Sequence, residues 1–326
     1  MLAAARYLVP PLTEGSRRKG AHGKVLILGG SPEYVGAPFY AGMASLRTGA
    51  DLVWVVCAEG AGGPLKTLSP ELMVLPLIPA QPSPAALAAA LASLQPVLSR
   101  VHSLVIGPGL GRSQGALDFA AAVLQCAAAR SPPLPTVLDA DALFLLAQRP
   151  GLLASHPAVL LTPNAAEMER LKGLALGRGI VILRKDLLDC LLLTEEGLLS
   201  DEVPVLATVE GGGSPRRCGG QGDLLAGAAG TFLAWAAAAA EPPQLHPLGT
   251  SSIVAAAVGA SCLVRTAAAK AFEASRRGML TPDILAALPA AFEQCMEEEE
   301  EEEGGEGGEA AGGYAAAQPA ASTASH

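Results

Sequence analysis

Residues 211–230 run Gly-Gly-Gly-Ser-Pro-Arg-Arg-Cys-Gly-Gly-Gln-Gly-Asp-Leu-Leu-Ala-Gly-Ala-Ala-Gly, an order that suits phosphate chemistry. Glycines crowd the stretch up to Gly222, a single acid follows at Asp223, and the apolar run over 224–240 reads as a helix. Backbone N–H groups of Gly219, Gly220 and Gly222 can point at an anion, and the positive end of the helix dipole adds to them. Asp223 then stands at the helix start, within reach of a group that accepts or loses a phosphoryl. Arg216 and Arg217 bring positive charge to the same turn. Glycines also serve tight turns and close helix contacts. The acid at the junction and the paired arginines weigh against so plain a reading.

A second constellation is Thr162-Pro163-Asn164-Ala165-Ala166-Glu167, which sets an amide and a carboxylate one helical turn apart and facing the same way. The same spacing makes a capping box, with Asn164 as N-cap and Glu167 at N3, and the sequence permits both uses. Asp139-Ala140-Asp141 ends a strand and starts a helix, so one aspartate is expected to cap, and the other is a candidate to touch metal-bound water. Gly107-Pro108-Gly109-Leu110-Gly111 follows a strand as a loop almost free of side chains, against whose backbone a flat ring can lie. Neither it nor Gly29-Gly30…Gly36-Ala37-Pro38 has the spacing of a dinucleotide fingerprint, and Lys66-Thr67 lacks the glycine that a P-loop places before its lysine.

Short apolar strands must position these groups. Strands are expected at 24–28, 52–57, 103–106, 136–138, 159–161 and 180–184, with shorter extended pieces near 191–193 and 204–208. Helices are expected at 37–48, 85–94, 113–129 and 142–148, and over most of 223–291; the stretch between Cys57 and Ala85 reads as a long loop. Strands this apolar, without clean alternation, belong in a parallel sheet covered on both faces. Ligands of such sheets bind beyond the carboxyl ends of the strands, where every motif above falls.

Half of the 326 residues are hydrophobic, enough for one large α/β core. The net charge of −9 argues against a nucleic-acid partner. Part of it is an unbroken glutamate run over 297–303, which with the Gly/Ala-rich remainder is expected to be a disordered tail. The six cysteines show no metal-like spacing, and most read as reduced core residues; Cys218, in the glycine-rich loop, is the exception. No run reaches the roughly 20 strongly apolar residues of a spanning helix, and residues 1–11, followed by Arg17, Arg18 and Lys19, do not read as a signal or transit peptide. A cytoplasmic protein is therefore expected; a mitochondrial form is left open.

The string Ser214-Pro215-Arg216-Arg217-Cys218-Gly219-Gly220-Gln221-Gly222-Asp223 resembles the anion hole and catalytic aspartate of the ribokinase-like superfamily. It is most similar to its ATP- or ADP-dependent NAD(P)H-hydrate dehydratase branch. Lys19-Gly20, Gly49-Ala50-Asp51-Leu52 and Leu68-Ser69-Pro70-Glu71-Leu72 add to the resemblance, which covers about residues 8–292. It implies a three-layer α/β/α fold in one domain over 1–292, with an N-terminal extension over 1–18 and the tail over 293–326. It also implies ATP-driven repair of hydrated NADH and NADPH, with Asp223 as catalytic base. Substrate contacts would come from Gly109, Gly111, Asn164, Ala165, Ala166, Glu167, Met168, Glu169, Arg170 and Asp223. ATP contacts would come from Lys185, Asp186, Leu187, Leu188 and Asp189 and from Ser214 through Gly222. Glu167 would hold Mg²⁺ through water. A separate epimerase would supply the S epimer, and a homo-oligomer is left open. A small-molecule kinase of the same superfamily, or a catalytically impaired nucleotide-binding homologue, is the alternative.

Two departures stand out. Asp186 replaces a glycine of the nucleotide contact, where it could hinder backbone approach. The connection over 172–179 is short, with room for about two helical turns, so apolar surface near Leu174, Leu176 and Ile182 is expected to be exposed.

Overall fold

The computed structural model describes residues 1–13, 18–194, 197–200, 203–209, 211–239 and 251–296; the glutamate run and the residues after it lie outside these. The strands are β1 (Lys24–Leu28), β2 (Leu52–Ala58), β3 (Met73–Ile78), β4 (Ser103–Ile106), β5 (Thr136–Leu138), β6 (Val159–Leu161), β7 (Val181–Arg184), β8 (Asp189–Leu193) and β9 (Val205–Val209). They form one sheet in the order β3-β2-β1-β4-β5-β6-β7-β8-β9. Pairings from β3 through β7 are parallel, and β8 and β9 close that edge antiparallel.

Alternate side chains of each strand enter two separate cores. Val25, Ile27, Val105, Val137 and Leu160 face α2 (Gly36–Thr48), α8 (Gln221–Ala238), α9 (Ser251–Ser275) and α10 (Thr281–Met296). Leu26, Leu28, Leu104, Leu138 and Leu161 face α4 (Pro84–Leu98), α5 (Gln114–Ala128), α6 (Asp141–Gln148) and α7 (Ala165–Leu171). Burial on both faces explains the uniformly apolar strands. Helix α9 is long and apolar enough to cross a membrane, but most of that length is buried within the protein.

The expected long loop between Cys57 and Ala85 is instead α3 (Glu59–Leu68) followed by β3. Its glycines and prolines suit an edge: Pro76 sits on the outermost strand, where a missing N–H is tolerated, and Gly62 fits against the Pro76 ring. The expected domain limits also move. At the N-terminus, α1 (Leu2–Tyr7) is no appendage, because Ala5 and Leu8 are buried and α1 packs on α9. At the other end α10 runs to Met296, burying Cys295 and Met296 beyond residue 292.

Nor does the short connection leave its surroundings bare. Leu176 and Ile182 are fully buried, and Leu174 packs against the second core. The segment pairs with residues 197–199 through Gly173 N–Leu199 O, Leu176 N–Gly197 O and Leu199 N–Leu174 O hydrogen bonds, which take the place of a covering helix.

Helix α8 lies unusually close to its neighbours. A methyl group on Gly227 would stand 2.0 Å from the Ala41 carbonyl oxygen, and one on Gly230 2.6 Å from Val105. Ser45 Oγ donates to the Gly227 carbonyl at 2.9 Å, and Ser103 Oγ to that of Gly230 at 2.6 Å. These contacts set how deep the start of α8, and so Asp223, reaches toward the sheet.

Candidate active site

Strands β5, β6 and β7 are neighbours and parallel, so the residues after them meet at one edge. Asp139 follows β5, Thr162 follows β6 and Lys185 follows β7. Thr162 Oγ1 donates to Asp139 Oδ1 at 2.8 Å, and Lys185 Nζ donates to the same oxygen at 2.6 Å. Asp139 is almost completely buried and Lys185 largely so. The Lys185 backbone N–H donates to Pro163 O, bringing Asn164 beside Lys185. Burial alone would lower the lysine pKa; Asp139, Glu167 and Asp223 outweigh it and hold the ammonium above its ordinary value.

Asp223 occupies the third position of α8, opposite this pair. Burial pushes its carboxyl up to about 7, the Asp139 charge adds to the shift, and Lys185 opposes it. Gly220 caps the helix with φ +93°, a conformation that favours glycine. Gly222 faces the Lys185 ammonium, which would lie 3.3 Å from any added Cβ. The first-turn amides of α8, without acceptors inside the helix, therefore open on a basic, crowded corner. Thr281 at the start of α10 donates its hydroxyl to the Gly219 carbonyl, and Arg216 Nε donates to Met279 O at 2.9 Å. The glycine loop is thus clasped by the α9–α10 connection.

A cavity of about 210 Å³ opens here, lined by Asn164, Lys185, Asp186, Leu187, Gly222 and Arg265 among others. Asp189, Ser214, Arg217, Cys218 and Gln221 also reach it, so most of the expected nucleotide residues share one wall. Arg217 donates to the Asp186 carbonyl, strapping the glycine loop to the turn after β7. Asp186 does not strain that turn. Its φ is not positive, and its side chain accepts from Leu187 N at 2.8 Å while its own N–H donates to Asp189 Oδ1. Arg216, by contrast, is spent on the loop's anchorage. Asp189 is buried, accepting from Ser261 Oγ at 2.7 Å and lying 3.7 Å from the Arg265 guanidinium.

The run 164–170 divides by helical geometry. Asn164 and Glu167 form the capping box, with Glu167 N–Asn164 Oδ1 at 2.9 Å and Asn164 N–Glu167 Oε2 at 2.8 Å. Met168 is buried in the second core, and Glu169 pairs outward with Lys172 at 2.6 Å. Ala165, Ala166 and Arg170 are exposed. A short helix cannot aim seven consecutive side chains at one site, and Asn164 and Glu167 are the two placed toward Lys185.

Neither aspartate of the 139–141 turn caps α6, because Ala140 is the N-cap residue and makes no side-chain bond. Asp141 braces the glycine loop instead, accepting from Gly111 N and from Arg112 Nε. That loop and Gly29-Gly30-Ser31 meet at the switch point between β1 and β4. Gly30 N and Ser31 N both donate to the Gly109 carbonyl, and a Cβ on Gly109 would stand 2.5 Å from Tyr34 O. Loop-to-loop packing by itself requires glycine at 107 and 109.

Sequence reasoning missed Asp139 as the partner of Lys185, although it had singled out that turn. It also missed Gly213, Leu225, Ser261, Val264 and Arg265. The clue for Arg265 was the glycine triplet: Gly212 and Gly213 lie against it, Gly213 N donates to its carbonyl, and Arg265 Nε donates to Gly211 O.

Residues 25–290 match the model of a family described as NAD(P)H-hydrate dehydratase. The chain belongs to that family. It is 39% identical to ATP-dependent (S)-NAD(P)H-hydrate dehydratase 2 of Puccinia graminis f. sp. tritici over 91% of this chain and 90% of the relative. Among solved structures it is similar to a ribokinase-like superfamily protein of Enterococcus faecalis, with TM-score 0.65 and 22% identity over 90% of this chain and 95% of that one. A Bacillus subtilis ADP/ATP-dependent NAD(P)H-hydrate dehydratase co-crystallised with ATP and Mg²⁺ matches with TM-score 0.58 and 18% identity, over 90% of this chain and 97% of the other. The fold is ribokinase-like.

Proposed function

We propose that the chain repairs the S epimer of hydrated NADH and NADPH, using ATP to remove water from the damaged ring. The observation that carries this is Asp223, a base with its carboxyl at about 7, set where an anion loop, a buried lysine and a helix N-terminus converge. Hydroxide is a poor leaving group and phosphate a good one. Asp223 takes the proton of the C6 hydroxyl as that oxygen attacks the γ-phosphate, while Lys185 and the α8 amides hold the charge developing on the transferred oxygens. ADP leaves as the C6 phosphate ester forms, the lone pair of the ring nitrogen then expels phosphate, and loss of a C5 proton from the resulting iminium restores the C5=C6 double bond. Positioning and electrostatics do most of the work in such transfers.

Among the described residues no three His, Cys, Asp or Glu side chains are grouped to hold a metal. Mg²⁺ commonly keeps several waters and takes few protein ligands, which suits this corner, where Glu167 spends Oε2 on Asn164 N and is only partly buried. Glu167 would hold the ion through water, and the ion would supply charge neutralisation on the phosphates. Exposed Leu187, with Leu225 and Val264, offers apolar contact for the adenine. A separate epimerase supplies the S form.

The test incubates the purified chain with (S)-hydrated NADH or NADPH, Mg²⁺ and either ATP or ADP, and follows return of dihydronicotinamide absorbance alongside phosphate release. Recovery of the reduced nucleotide with one phosphate released per turnover is expected. A stable phosphorylated product would make the protein a kinase instead, and nucleotide binding without turnover would make it a scaffold.

A further inference from the structure

We infer that Cys262 of α9 and Cys295 of α10 are a peroxide-oxidisable thiol pair, whose disulfide would tie together the two helices that hold the nucleotide loop. All six cysteines are free, and Cys262 Sγ lies 3.4 Å from Cys295 Sγ. Among the described residues no other two sulfurs are in contact. A disulfide needs about 2.05 Å between its sulfurs, so a small side-chain rotation across two directly packed helices would close the bond.

The surroundings separate the two thiols. Cys262 donates its S–H to Cys295, Thr266 Oγ1 lies 3.2 Å from the Cys295 sulfur, and Arg6 Nε donates to the Cys295 carbonyl at 2.9 Å. The hydrogen bond from Cys262, then Thr266 and the positive charges of Arg6 and Lys270, outweigh burial and hold the Cys295 thiol below its ordinary value. Cys262 is pushed up correspondingly. Cys295 is thus the more acidic of the two and the better placed to attack an oxidant, with Cys262 as the resolving thiol. Elsewhere, burial raises Cys57 to about 11. Arg6, whose guanidinium donates to the Cys295 carbonyl, also lines a cleft of about 570 Å³ with Phe292 and Met296, and Cys262 is half-buried.

The chemistry closes with hydrogen peroxide as the oxidant. The Cys295 thiolate attacks one peroxide oxygen, the O–O bond breaks, and with a proton the products are a sulfenic acid and water. Cys262 sulfur then attacks the Cys295 sulfur; the S–S bond forms and hydroxide leaves, taking the Cys262 proton as a second water. Two thiols lose two electrons and one peroxide becomes two waters. The bridge would act on the ATP wall because Cys262 adjoins Ser261 and precedes Arg265 by one turn. At its far end α10 begins with Thr281, which grips the Gly219 carbonyl.

The reduced full-length chain, treated with a slight excess of hydrogen peroxide, is assayed for thiols after unfolding, by peptide mapping and by thermal melting. Titratable thiols are expected to fall from six to four. A linked 262–295 peptide should appear and the melting temperature should rise by several degrees, all reversed by dithiothreitol. In Cys262→Ala, whose position is half-buried, Cys295 should instead accumulate a sulfenic acid that dimedone traps, with no rise in melting temperature. Six thiols retained, a bridge elsewhere, or an equal thermal gain in Cys262→Ala would overturn the inference.

Discussion

An aspartate in water ionises near 4, at about 3.9; burial beside Asp139 moves Asp223 to about 7. Two consequences follow with opposite signs. For catalysis, a base must be ionised before substrate binds, so kcat/KM is expected to rise with pH along an acidic limb centred near 7. A pH profile of the free enzyme measures this directly, and a limb near 4 would assign it to another group. For stability, the folded protein holds this proton more tightly than the unfolded chain. Asp223 therefore favours the fold at low pH, and the contribution is lost as pH rises from about 4 through about 7. Asp223→Asn never ionises. It is expected to lose about 10²- to 10⁴-fold in turnover with ATP binding kept. It should also melt on the order of several degrees above the parent at pH 8, a gain that shrinks toward pH 4. Activity within a few-fold of the parent would remove Asp223 from the mechanism.

Helix α8 connects that residue to the rest of the protein, and its glycines fix the connection. Gly227→Ala would drive a methyl group into the Ala41 carbonyl. Overpacking of this kind destabilises by about 1–3 kcal/mol, and the helix must shift to relieve it, carrying Asp223 with it. Calorimetry and steady-state kinetics on Gly227→Ala should show a lower melting temperature together with a lower kcat; a fall in melting temperature alone would mean that the site tolerates the shift. The sequence disclosed this helix, its acid and nearly every strand, because glycine punctuation and apolar runs are local signals. Helix α3 and strand β3 were hidden, since Gly60, Gly62, Gly63 and Pro64 read as a loop until Pro76 is seen on an edge strand. Ser261 and Arg265 were hidden for another reason. They sit midway along an apolar helix, and only the packing of α9 across the sheet turns them toward the cavity. The pairing of residues 173–177 with 197–199, beside buried Leu176, is likewise a tertiary contact that no local pattern announces.

Across the whole molecule, the site lies at the carboxyl ends of β5, β6 and β7, while α1 is bound near the opposite end, beside Trp235 and Phe292. Removing residues 1–10 should therefore separate stability from catalysis. Loss of buried Leu8 alone is worth about 1.5–3 kcal/mol, so the shortened chain should unfold at a lower temperature or urea concentration and yet keep kcat and KM when assayed well below its melting point. A matching loss of kcat would show that α1 reaches the site. The layered order of the chain has a consequence for its birth as well. One face of the sheet is covered chiefly by α8, α9 and α10, the last described helices to leave the ribosome. Until they emerge, Val25, Ile27, Val105, Val137 and Leu160 belong to a nearly complete sheet with one oily side open to solvent. Such surfaces associate with one another at ordinary concentrations. Synthesis halted before α8 is thus expected to yield an aggregating fragment in place of a smaller, weaker enzyme.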